Sequence, residues 1–294
     1  MRSSNKDRWQ EFFMLSPALL FLLVVIAVPF SLSVWFSFTD QRLVPRPVPT
    51  AFVGLTNYSR LLDDPRFWQA IGNTVLFTVL VVPFQLSISL GAALILNTAI
   101  PFRSVFRSIA MLPLLLPTTV VVAIWAVLFR IPNGPLNAAL HIFTGPDAYV
   151  DWIGSTSTAM VSIVVLSAWA TFPYQMLIYL AGLQDIPADL YEAARIDGAN
   201  GWQRFSNITW PGLRNVNIFL LIITTTQALK LFTQVDVLTK GGPNGATTTV
   251  VEYLYQRGYV TQQIGYGSSI AVCFFVVIAG IALLQRRLLK NEGA

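Results

Sequence analysis

The sequence predicts an all-α integral membrane protein with six transmembrane helices and both termini cytoplasmic. Of its 294 residues, 54% are hydrophobic and only 11% charged, against about 25% charged in soluble domains. Mean hydropathy is +0.61. The apolar residues fall in runs near 13–38, 71–97, 106–129, 159–183, 214–235 and 267–285, each close to the ~20 residues needed to cross hydrocarbon. Such segments must be helical, because only a helix satisfies its own backbone there.

The first run follows Arg2, Lys6 and Arg8. It is longer than the ~7–15 residues of a signal-peptide core and no clear Ala-x-Ala site follows it, so it is read as a retained span. The connection over 39–70 opens with Pro45, Pro47 and Pro49. It then offers Leu55 to Leu62, with Thr56 placed to cap a short interfacial helix.

Arg103 and Arg107 sit in the short second connection, and Pro132-Asn133-Gly134-Pro135 marks a turn in the third. Arg286, Arg287 and Lys290 follow the last run. Six crossings put these basic groups and the 185–215 loop on the cytoplasmic side, in agreement with the positive-inside rule. With no repeat and no soluble segment, 1–294 reads as one membrane domain.

Several functional classes are disfavoured. Cys273 is the single cysteine and His141 the single histidine, so the chain predicts no internal disulfide and no metal site. The net charge of +5 comes from residues flanking spans rather than from a compact patch, which argues against nucleic acid. No Gly-x4-Gly-Lys-Ser/Thr phosphate loop is present, so no ATP hydrolysis is expected of this chain. An intramembrane enzyme would need groups that are missing: no histidine lies in a span and there is no Gly-x-Ser-x-Gly elbow.

The 185–215 loop is polar yet patterned. Asp185 is placed to cap a short helix that Pro187 opens, with Asp189 and Glu192 near its positive end. Gly198 suits a left-handed stop. Asn200 and Gln203 have capping-box spacing, and Pro211 ends or redirects the helix at that point. Within the loop stand Glu192-Ala193-Ala194, three residues, Gly198, nine residues, then Ile208-Thr209-Trp210-Pro211.

This pattern resembles the EAA motif of permeases of binding-protein-dependent ABC importers; only Trp210 departs, standing where leucine is usual. Leu238-Thr239-Lys240-Gly241-Gly242-Pro243 resembles the Leu-Thr-x-Gly-Gly-Pro element of the carbohydrate-uptake subgroup, which includes maltose-type and glycerol-phosphate-type permeases. The resemblance spans nearly the whole chain and implies a type I ABC importer permease fold in a bacterial or archaeal cytoplasmic (inner) membrane. It implies a complex with a second permease of different sequence, two ATPase subunits that hold ATP and Mg, and an extracytoplasmic solute-binding protein. By the same resemblance Leu190, Glu192, Ala193, Ala194, Asp197, Gly198, Ile208 and Pro211 seat against the ATPase and pass its closure to the spans, in an alternating-access cycle.

Polar side chains in hydrocarbon usually face a protein interior or a watery path. In the fourth run Ser167, Thr171, Tyr174 and Gln175 share one helical face. In the fifth, Thr226, Gln227, Lys230, Thr233 and Gln234 fall in a stripe about 120° wide at ~3.6 residues per turn. These stripes are the candidate lining of a translocation path. Trp169 and Tyr174 either stack on a sugar ring or serve as packing and interface anchors. Lys230 either snorkels outward or pairs locally, or it meets a polar or anionic solute. A secondary transporter driven by an ion gradient would share such spans, but the acidic residues lie in loops or at span ends, which leaves no clear proton carrier.

Overall fold

The computed structural model describes residues 5–98, 101–145 and 148–291, with side chains from Met14 onward except at 286 and 288–291. Arg2 lies outside the described residues, and the side chains of Lys6, Arg8, Arg286 and Lys290 lie outside the described side chains. The charge asymmetry expected from them therefore has no structural counterpart here.

The chain forms two compact units, one of 1–64 with 254–277 and one of 65–253 with 278–294. In the first unit α1 runs over 5–37, with a π-helical turn at Leu23–Ala27. Its stretch Met14–Ser37 has a mean hydropathy of 2.6 and an apolar window with no buried residue. The C-terminal carbonyls of a helix need partners, and here the buried Asn57 serves the last of them and also the carbonyl of Thr39 two residues beyond. Its Nδ2 donates to the carbonyls of Ser37 and Thr39, each at 2.9 Å. Asn57 belongs to α2, Thr56–Leu62, the short helix expected in this connection. Thr56 does not cap it: Leu55 is the N-cap, and the Thr56 hydroxyl instead donates back to the Val53 carbonyl at 2.8 Å.

The second unit is built around α3, Pro65–Asn97, and α7, Ala159–Gln184. Between them come α4, Arg103–Met111, extended by a 3-10 turn over Leu112–Leu115; α5, Thr118–Leu128; and α6, Pro135–Thr144. After α7 come α8, Ala188–Ile196; α9 over 201–212, with a π-helical turn at Phe205–Thr209; α10, Arg214–Leu229; and α11, Thr233–Leu238. Two further helices are α12 over 250–260 and α13, Ile264–Asn291. Phe77 and Val81 of α3, Ile163 and Ala168 of α7, Ala228 of α10 and Val235 of α11 form one apolar core. Leu90, Met176, Leu180, Leu213 and Leu220 form another. Between apolar spans such contacts stabilise by close packing rather than by removing surface from water.

Among the described residues four helices are long and apolar enough to cross a membrane, and a bent pair adds a fifth candidate. The run expected as one span over 106–129 is that pair, turned by 103° between Arg103–Leu115 and Thr118–Leu128. The cause is Pro117: a residue preceding proline is driven out of the α region, and Leu116 is extended at ψ 137°.

The run expected over 214–235 is also not one helix. It stops at Leu229, Phe232 leaves helical geometry at φ −140°, and α11 restarts at Thr233. The freed Leu231 carbonyl accepts a hydrogen bond from the buried Thr249 hydroxyl at 2.8 Å. Irregular backbone at membrane depth requires this kind of replacement.

The segment 239–249, which carries the Thr239 to Pro243 element, is pinned on α3. The Asn73 amide donates to the carbonyls of Gly245 at 2.7 Å and Thr248 at 3.0 Å, and the Gln69 amide donates to that of Asn244 at 3.2 Å. Removing two such bonds costs on the order of 1–3 kcal/mol. We therefore expect Asn73→Leu to speed amide exchange over 241–248 by about tenfold or more, with α3 and α7 unchanged. Unaltered exchange in the loop would contradict this anchoring.

Candidate functional site

The 185–215 loop folds as two short helices around a glycine turn. Gly198 has φ +77°, the left-handed region open to glycine. Its N–H donates to the Arg195 carbonyl at 3.2 Å and the Ala199 N–H to that of Ala194 at 2.8 Å, the bond pair of a Schellman stop. Asn200 then opens α9 with a reciprocal capping box, at 2.8 and 2.9 Å to Gln203. The N-cap of α8 is Pro187, without a side-chain cap bond, while Asp185 closes α7. Asp185 thus belongs to the preceding helix and does not cap α8. The two arms are tied by the Tyr191 and Thr209 hydroxyls, 2.9 Å apart.

The tied arms leave apolar groups outward. Ile196 is 87% exposed and Leu190 50%. Glu192, Ala193, Asp197 and Gly198 are exposed beside them, with Ala194 half-buried. Leu190, Ile208 and Pro211 come together on one groove of about 370 Å³ that Asp185, Ile186 and Gly212 also line. Trp202 was not anticipated. It is 72% exposed and stacks on Phe205 with ring centroids 5.5 Å apart; a tryptophan inside a short polar loop was the available signal.

The path residues divide. Ser167, Thr171, Gln227 and Gln234 line one cavity of about 70 Å³. Ser167 is 4% exposed, and its hydroxyl has no hydrogen-bond partner among the described residues. Gln175 lies on the same face of α7 but inside a buried node, where its Oε1 accepts from the Ser89 hydroxyl at 3.0 Å and its Nε2 donates to the Thr224 oxygen at 2.7 Å. That node joins α3, α7 and α10.

Besides Gln175, the candidate path residues Trp169, Tyr174 and Lys230 stand outside the cavity lining. Trp169 packs edge-to-face on Trp125, with centroids 5.8 Å apart, as part of an aromatic core with Phe129 and Trp152. Tyr174 is 41% exposed. Lys230 is exposed and forms the C-cap of α10. The expected stripe through Thr226, Gln227, Lys230, Thr233 and Gln234 is thus not a helical face, because the helix ends inside it. Gln85 and Thr224 line the cavity and were missed; Gln85 is a lone amide in an apolar run, the same signal that marked Gln175. Glu252, expected in a loop, lies in α12 at 1% exposure.

The family described as binding-protein-dependent transport system inner membrane component matches residues 85–291. The chain belongs to that family. It is 38% identical over 287 residues to the trehalose/maltose transport system permease protein MalF of Thermococcus litoralis, covering 96% of this chain and 95% of that protein. It is 34% identical to the sulfoquinovosyl glycerol transport system permease protein SmoG of Agrobacterium fabrum, covering 97% and 92%. Its fold matches a chain of a bacterial ABC transporter involved in the import of alginate, with a TM-score of 0.85, 21% identity and 98% of both chains covered. The family match contains α7 to α11, and so both the handle of 188–212 and most of the polar cavity.

Proposed function

We propose that this chain is the permease subunit of an ATP-driven importer of sugars or related polyols or glycerol phosphates in a bacterial or archaeal cytoplasmic membrane. It crosses the membrane six times with both termini inside, and it forms half of the path. The observation that carries the reading is the joining of an exposed, motif-matched handle to a buried polar cavity through a single helix, α10, which starts two residues beyond the handle. The relatives named for trehalose/maltose and sulfoquinovosyl glycerol transport support the carbohydrate assignment.

The partners are a second permease of different sequence, two ATPase subunits that bind ATP and Mg, and a solute-binding protein on the far side. A match to an alginate transporter solved with its periplasmic protein, at a TM-score of 0.86, supports that kind of assembly. Leu190, Ile196 and Trp202 give the ATPase an apolar contact, and Glu192 and Asp197 set its register. Closure of the ATPase pair moves the handle, α10 carries the movement to the cavity, and hydrolysis resets it. This chain contributes no catalytic group and no cofactor.

The lining of the cavity consists of uncharged side chains, with the amides of Gln85, Gln227 and Gln234 and the hydroxyls of Ser167, Thr171 and Thr224. Such groups exchange hydrogen bonds with solute hydroxyls. We expect Lys230→Gln, outside that lining, to leave uptake within about twofold of wild type. Loss of uptake in vesicles holding normal amounts of the complex would return Lys230 to the path.

The assembly itself is tested by purifying the tagged chain from its native membrane in mild detergent and identifying what remains bound. Recovery of an ATPase and a second permease is expected. Repeated recovery of the intact chain alone would overturn the importer reading.

A further inference from the structure

The first unit holds a groove of about 470 Å³ that has no part in the proposed transport. It lies between α1 and the start of α13, lined by Leu32, Phe36, Arg42, Leu254, Tyr259 and Ala271. Its volume falls in the range of small-molecule sites, roughly 300–1,000 Å³. Gly258, Gly267 and Ser268 also line it, and the two glycines, lacking side chains, and the small serine leave the space open. The two glycines meet closely: a Cβ on Gly267 would stand 2.8 Å from the Gly258 Cα.

Arg42 has an unusual setting. It lies five residues beyond the end of α1, whose stretch Met14–Ser37 is long and apolar enough to cross a membrane. Its guanidinium has no hydrogen-bond or ion-pair partner among the described residues; only its carbonyl is engaged, by the Gln41 amide. The nearby acid is taken: Asp40 accepts from Arg46 at 2.5 Å and from the Ala51 N–H at 2.7 Å. A half-buried arginine thus lines a mostly apolar groove, with no carboxylate paired to it among the described residues. Leu32 and Leu43 at its sides are each 48% exposed and Tyr259 is 56% exposed, an aromatic and aliphatic rim of the kind found at the membrane interface.

We propose that this groove holds one anionic phospholipid, with its phosphate on Arg42 and an acyl chain lying along α1 toward Pro29. The planar guanidinium matches two phosphate oxygens at once, and charge assistance strengthens both bonds. From Phe36 to Pro29 the wall of α1 extends about 10 Å at 1.5 Å per residue, so a stretch of acyl chain is buried rather than a headgroup alone. Such a site requires only that α1 and α13 stand in a bilayer, whatever the protein transports.

The test is native mass spectrometry of the complete complex, purified in mild detergent and titrated with phosphatidylglycerol or, separately, with zwitterionic phosphatidylcholine. The wild type is expected to retain one phosphatidylglycerol per copy of this chain in preference to phosphatidylcholine. Arg42→Gln should weaken that retention by about tenfold, Arg42→Lys should restore part of it, and Ala271→Phe should remove it by filling the groove while leaving Arg42 in place. Assembly of the complex is read in the same spectra. If Arg42→Gln fails to assemble, the Arg42→Lys and Ala271→Phe pair decides. Equal phosphatidylglycerol retention in wild type and Ala271→Phe would overturn the proposal. So would a crosslink from position 271 to a partner polypeptide, which would mean that a protein side chain occupies the groove.

Discussion

Replacing Gly198 with proline is expected to cut uptake by at least about tenfold, the range of a site-to-site coupling of 1–3 kcal/mol, while the protein reaches the membrane in normal amounts. Proline fixes φ near −65°, whereas Gly198 stands at +77°. The turn between α8 and α9 cannot then form. Space is not the constraint, since a Cβ at this position meets nothing within 4 Å. The substitutions should therefore rank by backbone alone: asparagine, which tolerates the left-handed region, stays close to wild type, and valine loses most of the activity. Glu192→Lys tests the same surface without touching the turn, by reversing an exposed charge that faces the ATPase in our reading. Wild-type uptake in Gly198→Pro or Glu192→Lys would remove the handle from the coupling mechanism.

The second large effect belongs to Ser167. Ser167→Phe places a ring in a cavity of about 70 Å³, and overpacking of this kind costs about 1–3 kcal/mol. We expect the complex to assemble and uptake to fall below a tenth of wild type, because the polar space between α3, α7 and α10 is filled. Ser167→Ala is the control for folding. The hydroxyl is buried with no partner among the described residues, so its removal should leave thermal stability unchanged or raised by up to about 1 kcal/mol. Undiminished uptake in an assembled Ser167→Phe complex would separate this cavity from the path.

The handle was legible because its signals are local. A glycine stop and a capping box lie within a few residues of the backbone groups they serve, so Gly198, Asn200 and Gln203 could be placed before any packing was known. The break at Leu116 has a local signal, Pro117, which the reading of 106–129 as a single apolar run does not take into account. The break after Leu229 carries neither proline nor glycine. It is held by Thr249, 18 residues from the carbonyl it serves, and no window along the chain displays that. The same limit explains the path residues: periodicity groups Ser167, Thr171, Tyr174 and Gln175 on one face, but it does not say which neighbour each of them meets. Trp169 went to an aromatic core because Trp125, on a different helix, fits it.

The end of α7 and the start of α10 are fitted to each other with little slack. A Cβ on Gly182 would stand 2.7 Å from the Val216 side chain and 3.1 Å from Leu213, and one on Gly212 would stand 2.7 Å from Ile186. From this clasp α10 runs without interruption over 16 residues, about 24 Å at 1.5 Å per residue, and stops just past Thr224 and Gln227 at the cavity. It is a continuous rod held at both ends, by the clasp at Gly182 and Gly212 and by the Gln175–Thr224 bond and the buried Ala228 and Leu229 at the cavity. In our reading a push at the clasp reaches the polar lining through one unbroken helix, while the gap at 230–232 separates that helix from α11 and the pinned 239–249 segment. The handle and the polar lining are thus joined by one rigid element, to which the pinned 239–249 segment does not belong.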